Sequence, residues 1–238
     1  MELTFIDYFN GLSSLLFVII SFIIGFKLIF KYFKYQAKEL GLVGLTWLGI
    51  CEIWIPTAIS FITVLLFNFT LSPEVYFFIA FVFVPIAIIF WLLAFTDLLY
   101  QNQQKKILFI YIIYGAIFEV VFIFFLCTDS SMIGKRVRLI EASYTLWMYI
   151  YLVSIATTFF LTAFLFAKKS LLSENRETKI KAKFLIAAVI TLFITSLLDA
   201  FFTYGLLTFI LYKIFLISCA LEFYFSFFLP TKLRNFLV

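Results

Sequence analysis

The sequence predicts an all-α membrane protein in which seven transmembrane helices form one bundle. Hydrophobic residues make up 65% of the 238 residues, and charged residues only 13%. About a quarter of the residues in a soluble domain are charged, so this chain has too few charges to cover its surface in water. The apolar residues also form seven long runs, which short polar segments separate. These observations predict a polytopic seven-helix bundle, and because no long polar stretch interrupts it, we predict a single domain over residues 1–238.

Each predicted span is an apolar run of at least the ~20 residues that a helix needs to cross a bilayer. The spans are predicted at 11–33, 42–67, 75–100, 107–127, 142–167, 183–204 and 207–229. Polar segments such as NFTLSPE and TDSSMIGKRVRLIE end the runs, and residues 1–10 are expected to form a short outer segment. A turn is predicted at Gly205, because a continuous helix of about 45 residues would be too long for one crossing.

The basic residues indicate the orientation of the predicted helices. With the amino terminus outside, fourteen basic residues lie at the inner face: Lys27, Lys31, Lys34, Lys38, Lys105, Lys106, Lys168, Lys169, Arg176, Lys179, Lys181, Lys183, Lys232 and Arg234. Only Lys135, Arg136 and Arg138 then lie at the outer face. Because basic residues collect on the cytoplasmic side, the sequence predicts a multi-pass protein of the cell membrane with its N-terminus outside and its C-terminus inside.

The same distribution of basic residues bears on the partners of the protein. The net charge of +5 is explained by membrane orientation, so no nucleic acid partner is expected. The expected partners are the lipid bilayer and a cytoplasmic protein that binds the inner loop 168–183. The basic residues of this loop would equally serve as an anchor on anionic lipid, and the sequence leaves both interpretations open.

The absence of histidine restricts the chemistry that the protein can perform. Without His, the usual His-based catalytic triads, haem sites and zinc sites are excluded. The three cysteines, Cys51, Cys127 and Cys219, are odd in number and scattered through apolar runs, so we interpret them as small core residues. No catalytic motif is visible. We therefore expect no enzymatic activity, no metal and no cofactor.

Three glutamates, Glu52, Glu119 and Glu222, lie inside apolar runs, where an ionisable side chain is costly. Such groups are retained when they face the interior of a bundle with a partner or water. We therefore predict an intramembrane polar site for a ligand or an ion at these residues. Pro56 lies four residues after Glu52, and a proline frees a backbone carbonyl one turn earlier, so an irregular backbone is expected beside Glu52.

Further polar residues are candidates for the same kind of site. Ser218 and Ser226 lie four residues on either side of Glu222 and share its helix face, although hydroxyl groups also serve as plain packing contacts between helices. Asp199 and Lys213 lie on either side of the predicted turn between the sixth and seventh spans. We predict that they form an ion pair that closes the outer end, because an unpaired charge there would be costly.

Lys213 also raises the question of retinal. A lysine in the seventh of seven helices resembles the retinal-binding lysine of rhodopsins in topology. The microbial rhodopsin pattern has an Asp four residues before that lysine, where this chain has Phe209. Retinal on Lys213 is therefore not expected. Asp97, at the inner end of the third span, is expected to reach water.

Several segments resemble a known family. FAKKSLLSENRETKIKAKFLIAA (166–188) and KIFLISCALEFYFSFFLPTKLRNFL (213–237) resemble the corresponding parts of a family of seven-helix membrane proteins found in Asgard-type archaea. WLLAFTDLL and IGK fit the same resemblance, which covers most of the chain. It implies the seven-helix architecture and no particular activity. The layout is also similar to that of G-protein-coupled receptors in topology alone, because Asp97-Leu98-Leu99 lacks the arginine of their Asp-Arg-Tyr motif.

Two functions of different classes are consistent with these features. In the first, the protein is a receptor or sensor that relays an outer or intramembrane signal to the cytoplasmic face through the basic loop 168–183. In the second, it is a transporter or channel for a small solute, a proton or another ion, with the intramembrane carboxylates in the pathway. The charged inner loop favours the receptor, as does the lack of an inverted repeat of the kind that secondary transporters contain. The ligand, the substrate and the oligomeric state stay open.

Overall fold

The computed structural model describes residues 2–201 and 206–230, and it is 84% helical. Within these residues, seven helical segments are long and apolar enough to cross a membrane, which confirms the predicted all-α class and the seven long apolar helices. The helices are α1 (Phe5–Tyr35), α2 (Lys38–Cys51), α3 (Ile55–Phe67), α4 (Pro73–Phe81), α5 (Val84–Leu99), α6 (Gln104–Thr128), α7 (Leu146–Ser170), α8 (Arg176–Phe201) and α9 (Leu206–Phe227). Two short strands, β1 (Gly134–Arg136) and β2 (Ala142–Tyr144), lie between α6 and α7.

The second and third spans are each built from two helices that meet at a break. The residues Glu52–Trp54 form a 3₁₀ turn between α2 and α3, and two residues separate α4 from α5. Pro56 lies in the first turn of α3 and Pro85 in the first turn of α5. Proline suits the start of a helix, since it has no N–H to donate to an earlier carbonyl. Each proline therefore interrupts an otherwise continuous apolar helix and leaves backbone groups at the break without a helical partner.

The residues Met1–Ile150 form one compact unit, in which glycines let the helices approach closely. A Cβ atom on Gly44 of α2 would lie 2.8 Å from the carbonyl oxygen of Gly25 on α1. A Cβ atom on Gly49 would lie 2.4 Å from that of Ala87, so α2 also packs tightly on α5. Small residues at helix crossings are typical of helix association in lipid.

The amino-terminal segment is shorter than the sequence predicts, because α1 begins at Phe5. Thr4 and Asp7 explain this start, since they form a capping box. The hydroxyl oxygen of Thr4 accepts a hydrogen bond from the Asp7 N–H, and the Asp7 carboxylate accepts one from the Thr4 N–H at 2.9 Å. Two of the free N–H groups at the beginning of α1 are satisfied in this way.

A β-hairpin replaces the start of the predicted fifth span. The sequence predicts helix from residue 142, but residues 142–144 form β2, which pairs antiparallel with β1, and α7 begins only at Leu146. Ile140, in the connection between the strands, is fully buried and packs against Phe61 and Val64 of α3. The hairpin therefore packs on α3 within the first unit, because the apolar side chain of Ile140 is buried there.

The residues Tyr151–Val238 form a second compact unit, in which α8 packs along α9. The predicted inner loop 168–183 is largely helical, because α7 continues to Ser170 and α8 begins at Arg176. The connection between these two helices is therefore much shorter than the sequence predicts. The turn predicted at Gly205 lies outside the described residues.

Candidate functional site

Glu52 is a buried carboxylate that binds the backbone at a neighbouring helix break. The residue is 3% exposed, and its Oε1 and Oε2 accept hydrogen bonds from the Phe83 N–H at 3.1 and 2.9 Å. Phe83 immediately precedes α5, so its N–H is one of the donors that a helix leaves without an internal partner at its start. The carboxylate also lies at the positive end of the α5 dipole. Glu52 therefore caps α5 from another helix.

The sequence around Glu52 explains how its side chain reaches that break. Pro56 has no N–H, so the carbonyl of Glu52, four residues earlier, cannot receive the usual α-helical hydrogen bond. The Ile55 N–H donates to this carbonyl instead, which tightens the chain into a 3₁₀ turn. This turn packs against α4. The irregular backbone expected beside Glu52 is therefore present, and it brings Glu52 to the junction of α4 and α5.

Glu119 approaches the same site from α6. It follows Gly115 by four residues, so the two share one face of the helix. A Cβ atom on Gly115 would lie 3.0 Å from that of Pro85, so this face of α6 packs against the start of α5. Glu119 is close enough to Glu52 for the two carboxylates to repel each other electrostatically. Its Oε1 is buried and has no hydrogen-bond partner in the described part of the chain.

The pair of Glu52 and Glu119 is suited to one small positive charge. Two neighbouring carboxylates with little access to water cannot both stay ionised at low cost, because each raises the energy of the other's charged form. A shared proton or a monovalent cation removes this repulsion. Over residues 2–201 and 206–230, no group of three or more His, Cys, Asp or Glu side chains could hold a metal ion. A proton or a monovalent cation would balance one of the two negative charges of Glu52 and Glu119.

Glu222 lies on α9 in the second unit, where it forms a hydrogen bond with Ser218. The hydroxyl group of Ser218 donates to Oε1 of Glu222 at 3.0 Å, so the two residues share a helix face as the spacing predicts. Oε2 of Glu222 is buried and has no hydrogen-bond partner among the described residues. Ser226 donates instead to the carbonyl of Phe223 at 2.6 Å. The common cavity predicted for the three glutamates stays a prediction.

Lys213 is buried and lies against aromatic rings. Its Nζ is 4.8 Å from the centroid of the Tyr212 ring and 5.7 Å from that of Phe209. A cation near an aromatic ring is stabilised by the negative face of the ring. Phe209, the residue at the position of the rhodopsin Asp, therefore contributes a ring where the rhodopsin pattern has a carboxylate. Asp199 lies half-buried on α8, and its ion pair with Lys213 stays a prediction.

Sequence reasoning missed a polar cluster formed by Lys38, Asp97 and Gln104. Asp97 is expected from the sequence to reach water, but its side chain is only 9% exposed. Lys38 Nζ lies 2.7 Å from Oδ2 of Asp97, and Gln104 Nε2 donates to Oδ1 at 2.6 Å. The cluster joins the first residue of α2, the end of α5 and the first residue of α6. The opposite charges of Lys38 and Asp97, at the inner ends of two predicted spans, were the signal that could have revealed it.

The fold and the site together indicate the class of the protein. Seven apolar helices of this length suggest a multi-pass membrane protein, and the buried carboxylate of Glu52 joins the breaks in two of these helical segments. Comparisons of the chain with protein-family models, with curated proteins and with solved structures gave no match.

Proposed function

We propose that the protein is a multi-pass protein of the cell membrane that transports an ion or a small solute and is driven by a proton or a monovalent cation bound at Glu52 and Glu119. The observation that carries this proposal is the capping of α5 by Glu52 at the junction of two broken helices. The distribution of the basic residues supports an N-terminus outside and a C-terminus inside. The sequence favours a receptor, but the geometry of the breaks favours the transport alternative.

Broken helices and buried carboxylates occur together for a physical reason. A helix break inside a membrane is tolerated where it is buried in protein or lines a water-filled cavity, and ion sites of transporters are often built from such broken helices. An ionisable residue at that depth is a functional candidate by default. In this chain the Glu52 carboxylate accepts a hydrogen bond from the Phe83 N–H at the start of α5. The charge of Glu52 therefore affects the position of α5.

Protonation of Glu52 gives the site a mechanism. The ionised carboxylate holds the start of α5 through a charge-assisted hydrogen bond from the Phe83 N–H, and a proton on Glu52 weakens this bond. Glu119 adds a second carboxylate near Glu52, and a proton bound at the site would remove the repulsion between the two. Binding and release of the proton would thus shift the junction of α4 and α5 between a held and a loosened state.

A flux assay in liposomes tests this proposal. The full chain is reconstituted with a dye sensitive to protons, sodium or potassium inside, and a gradient of the matching ion is imposed in each case. We expect flux with the native chain and its loss in Glu52→Gln and in Glu119→Gln. Glu174→Gln is the matched control, because Glu174 is exposed in the connection between α7 and α8. Absence of flux under all three gradients, or full flux in both Gln variants, would refute the proposal.

A receptor or sensor is the second candidate, and the hairpin of β1 and β2 favours it. This hairpin is a folded element that contains the fully buried Ile140 and directly follows the fully buried Ile133, which is more than a plain connection between two spans needs. In this alternative, an outer or intramembrane signal reaches a cytoplasmic partner at the basic segment 168–183. The same Gln variants would then show no flux defect, because the native chain shows no flux, and they would change a pH-driven conformational signal instead. Membership in the seven-helix family of Asgard-type archaea stays a prediction under both alternatives.

A further inference from the structure

Arg136, the last residue of β1, is a half-buried cation without an acidic partner. Its guanidinium lies over the ring of Tyr76, with Cζ 4.4 Å from the ring centroid, and its Nη2 donates to the carbonyl of Leu139. Its Nη1 is buried and has no hydrogen-bond partner within the described residues. No described Asp or Glu forms a salt bridge with it, whereas Arg138, two residues later, pairs with Glu141.

The charge of Arg136 persists in this environment. Burial lowers the pKa of its guanidinium, but the pKa of an arginine is so high that the group stays protonated in proteins. A buried charged donor without a partner is destabilising, and a water molecule would satisfy the N–H without neutralising the charge. The packing of Ile140 against α3 keeps the hairpin, and with it Arg136, in this position. An anion from outside the chain would complete the cluster.

The surroundings of Arg136 favour an anion with one charge and an apolar body. A phosphate group carries about −1.5 to −2 charges and usually needs more than one cation, whereas one guanidinium matches the charge and the planar shape of a carboxylate. Tyr144 interacts electrostatically with Arg136. Its ring lies 5.0 Å from that of Phe81 and 6.1 Å from that of Phe77, measured between centroids. Phe77 and Phe81 are fully buried beside Tyr144, so their rings can contact the carbon atoms of a bound carboxylate only when the hairpin has moved.

A series of contacts connects Arg136 with the carboxylate pair. The Tyr76 ring that lies under the guanidinium has its hydroxyl group 2.8 Å from the hydroxyl group of Thr57, and both residues are buried. Thr57 follows Pro56 in the first turn of α3, five residues after Glu52. A ligand at Arg136 would therefore be connected with the helix break at Glu52 through Tyr76 and α3.

We propose that Arg136 binds a small carboxylate anion beneath the hairpin of residues 134–144. Nη1 donates to a carboxylate oxygen, and the aromatic rings beside Tyr144 contact the carbon body of the ligand. Because the hairpin covers Nη1, the ligand enters when Ile140 separates from α3. The binding of a carboxylate at Arg136 is independent of the transport function. The further inference that the transported solute is an organic acid anion rests on that proposed function.

Equilibrium binding to the purified full chain in detergent tests the proposal. Radiolabelled acetate and benzoate are measured by equilibrium dialysis, and inorganic phosphate, chloride and phosphatidylglycerol are tested as competitors at fixed pH and ionic strength. We expect one binding site, with benzoate tighter than acetate because its ring adds aromatic contact. Neither carboxylate binding, or displacement of both by phosphate or phosphatidylglycerol at lower concentrations than by unlabelled carboxylate, would overturn the proposal.

Three variants assign the binding to Arg136. Arg136→Gln should weaken benzoate binding roughly 10- to 100-fold, as expected for loss of a charge-assisted hydrogen bond. Arg136→Lys keeps the charge, so its affinity for benzoate should lie between those of Arg136→Gln and the native chain. It also tests the assignment if Arg136→Gln fails to fold. Arg138→Gln is the control, since Arg138 is exposed and pairs with Glu141, and it should bind as the native chain does. Unchanged binding in Arg136→Lys, or an equal loss in Arg138→Gln, would refute the assignment.

The failure of this inference can be distinguished from the failure of the proposed function. If proton or cation flux depends on Glu52 while no carboxylate binds, the site at Arg136 is refuted and the transport proposal stands. If benzoate binds through Arg136 while no flux is found, the transport proposal is refuted and the binding site stands. Glu174→Gln is a further control in the binding assay, because Glu174 is exposed, and it should bind as the native chain does.

Discussion

Replacing Glu52 tests whether its carboxylate holds the junction of α4 and α5. Glu52→Ala removes the acceptor of the Phe83 N–H, and this donor has no other described partner. Glu52→Gln keeps an acceptor oxygen but removes the negative charge. Because glutamine closely resembles a protonated glutamic acid, the comparison of the two variants also reports the protonation state of Glu52 in the native chain.

The expected magnitudes follow from the hydrogen bond and the burial of Glu52. A buried N–H that loses its partner costs about 1–3 kcal/mol, so Glu52→Ala should lower the free energy of unfolding by at least this amount. A hydrogen bond to a charged group contributes about 1.5–3 kcal/mol against about 0.5–1.5 kcal/mol for a neutral one, and the α5 dipole adds about 0.3–1 kcal/mol. Glu52→Gln should therefore cost about 1–2 kcal/mol if Glu52 is ionised and close to zero if it is protonated.

Unfolding in mixed micelles with increasing amounts of a denaturing detergent measures these free energies. Hydrogen–deuterium exchange of the peptide that contains Phe83 measures the local effect, and it should become faster in Glu52→Ala. Glu174→Ala and Glu174→Gln are the matched controls, because Glu174 is exposed. If Glu52→Ala unfolds like the native chain and the Phe83 peptide exchanges at the native rate, then Glu52 does not cap α5. The proposed site at Glu52 would then be refuted.

Three further predictions concern the helix crossings, the Lys38–Asp97–Gln104 cluster and the orientation. Gly44→Ala adds a methyl group 2.8 Å from a facing carbonyl oxygen and should cost about 1–3 kcal/mol of unfolding free energy, so native stability would contradict the close crossing of α1 and α2. Asp97→Asn removes the ion pair with Lys38 and should speed hydrogen exchange at the starts of α2 and α6; native exchange rates there would show that the cluster does not hold these ends. In a variant without the exposed native cysteine, a membrane-impermeant maleimide should label Ser131→Cys in intact cells and Leu172→Cys only after permeabilisation, and the reverse pattern would refute the orientation.

The number of spans could be predicted from the sequence because the length of an apolar run is a direct requirement of the bilayer. The irregular backbone at Glu52 could be predicted as well, since the missing N–H of Pro56 acts within one turn of the same helix. The partner of Glu52 could not be predicted. Pro85 indicates a break in the next span, but the rotation of both helices decides whether the Phe83 N–H faces Glu52, and this rotation depends on close contacts such as that between Gly49 and Ala87.

The hairpin was missed because its second strand has the composition of a membrane helix. Residues 142–144 are mostly apolar and continue directly into α7, so a count of apolar residues includes them in the span. Their pairing with β1 depends on Gly134, where any Cβ atom would lie 2.3 Å from the carbonyl oxygen of Ser143. It also depends on the burial of Ile140 against α3, which is distant in the sequence. Neither contact leaves a local periodicity that could be recognised.

Under the proposed function, the position of Glu52 within the first unit would couple its charge to a movement of the backbone. At one end of the unit, the Lys38–Asp97–Gln104 cluster joins the ends of α2, α5 and α6, and at the other end the hairpin packs through Ile140 on α3. A helix that is held at its ends can respond to a change of charge only where it bends, and the bend in the third span is the junction capped by Glu52. A carboxylate that accepted no backbone hydrogen bond would change only the local charge on proton binding. Under the proposed function, a proton at this junction would change both, so proton binding and a shift of α4 against α5 would be one event.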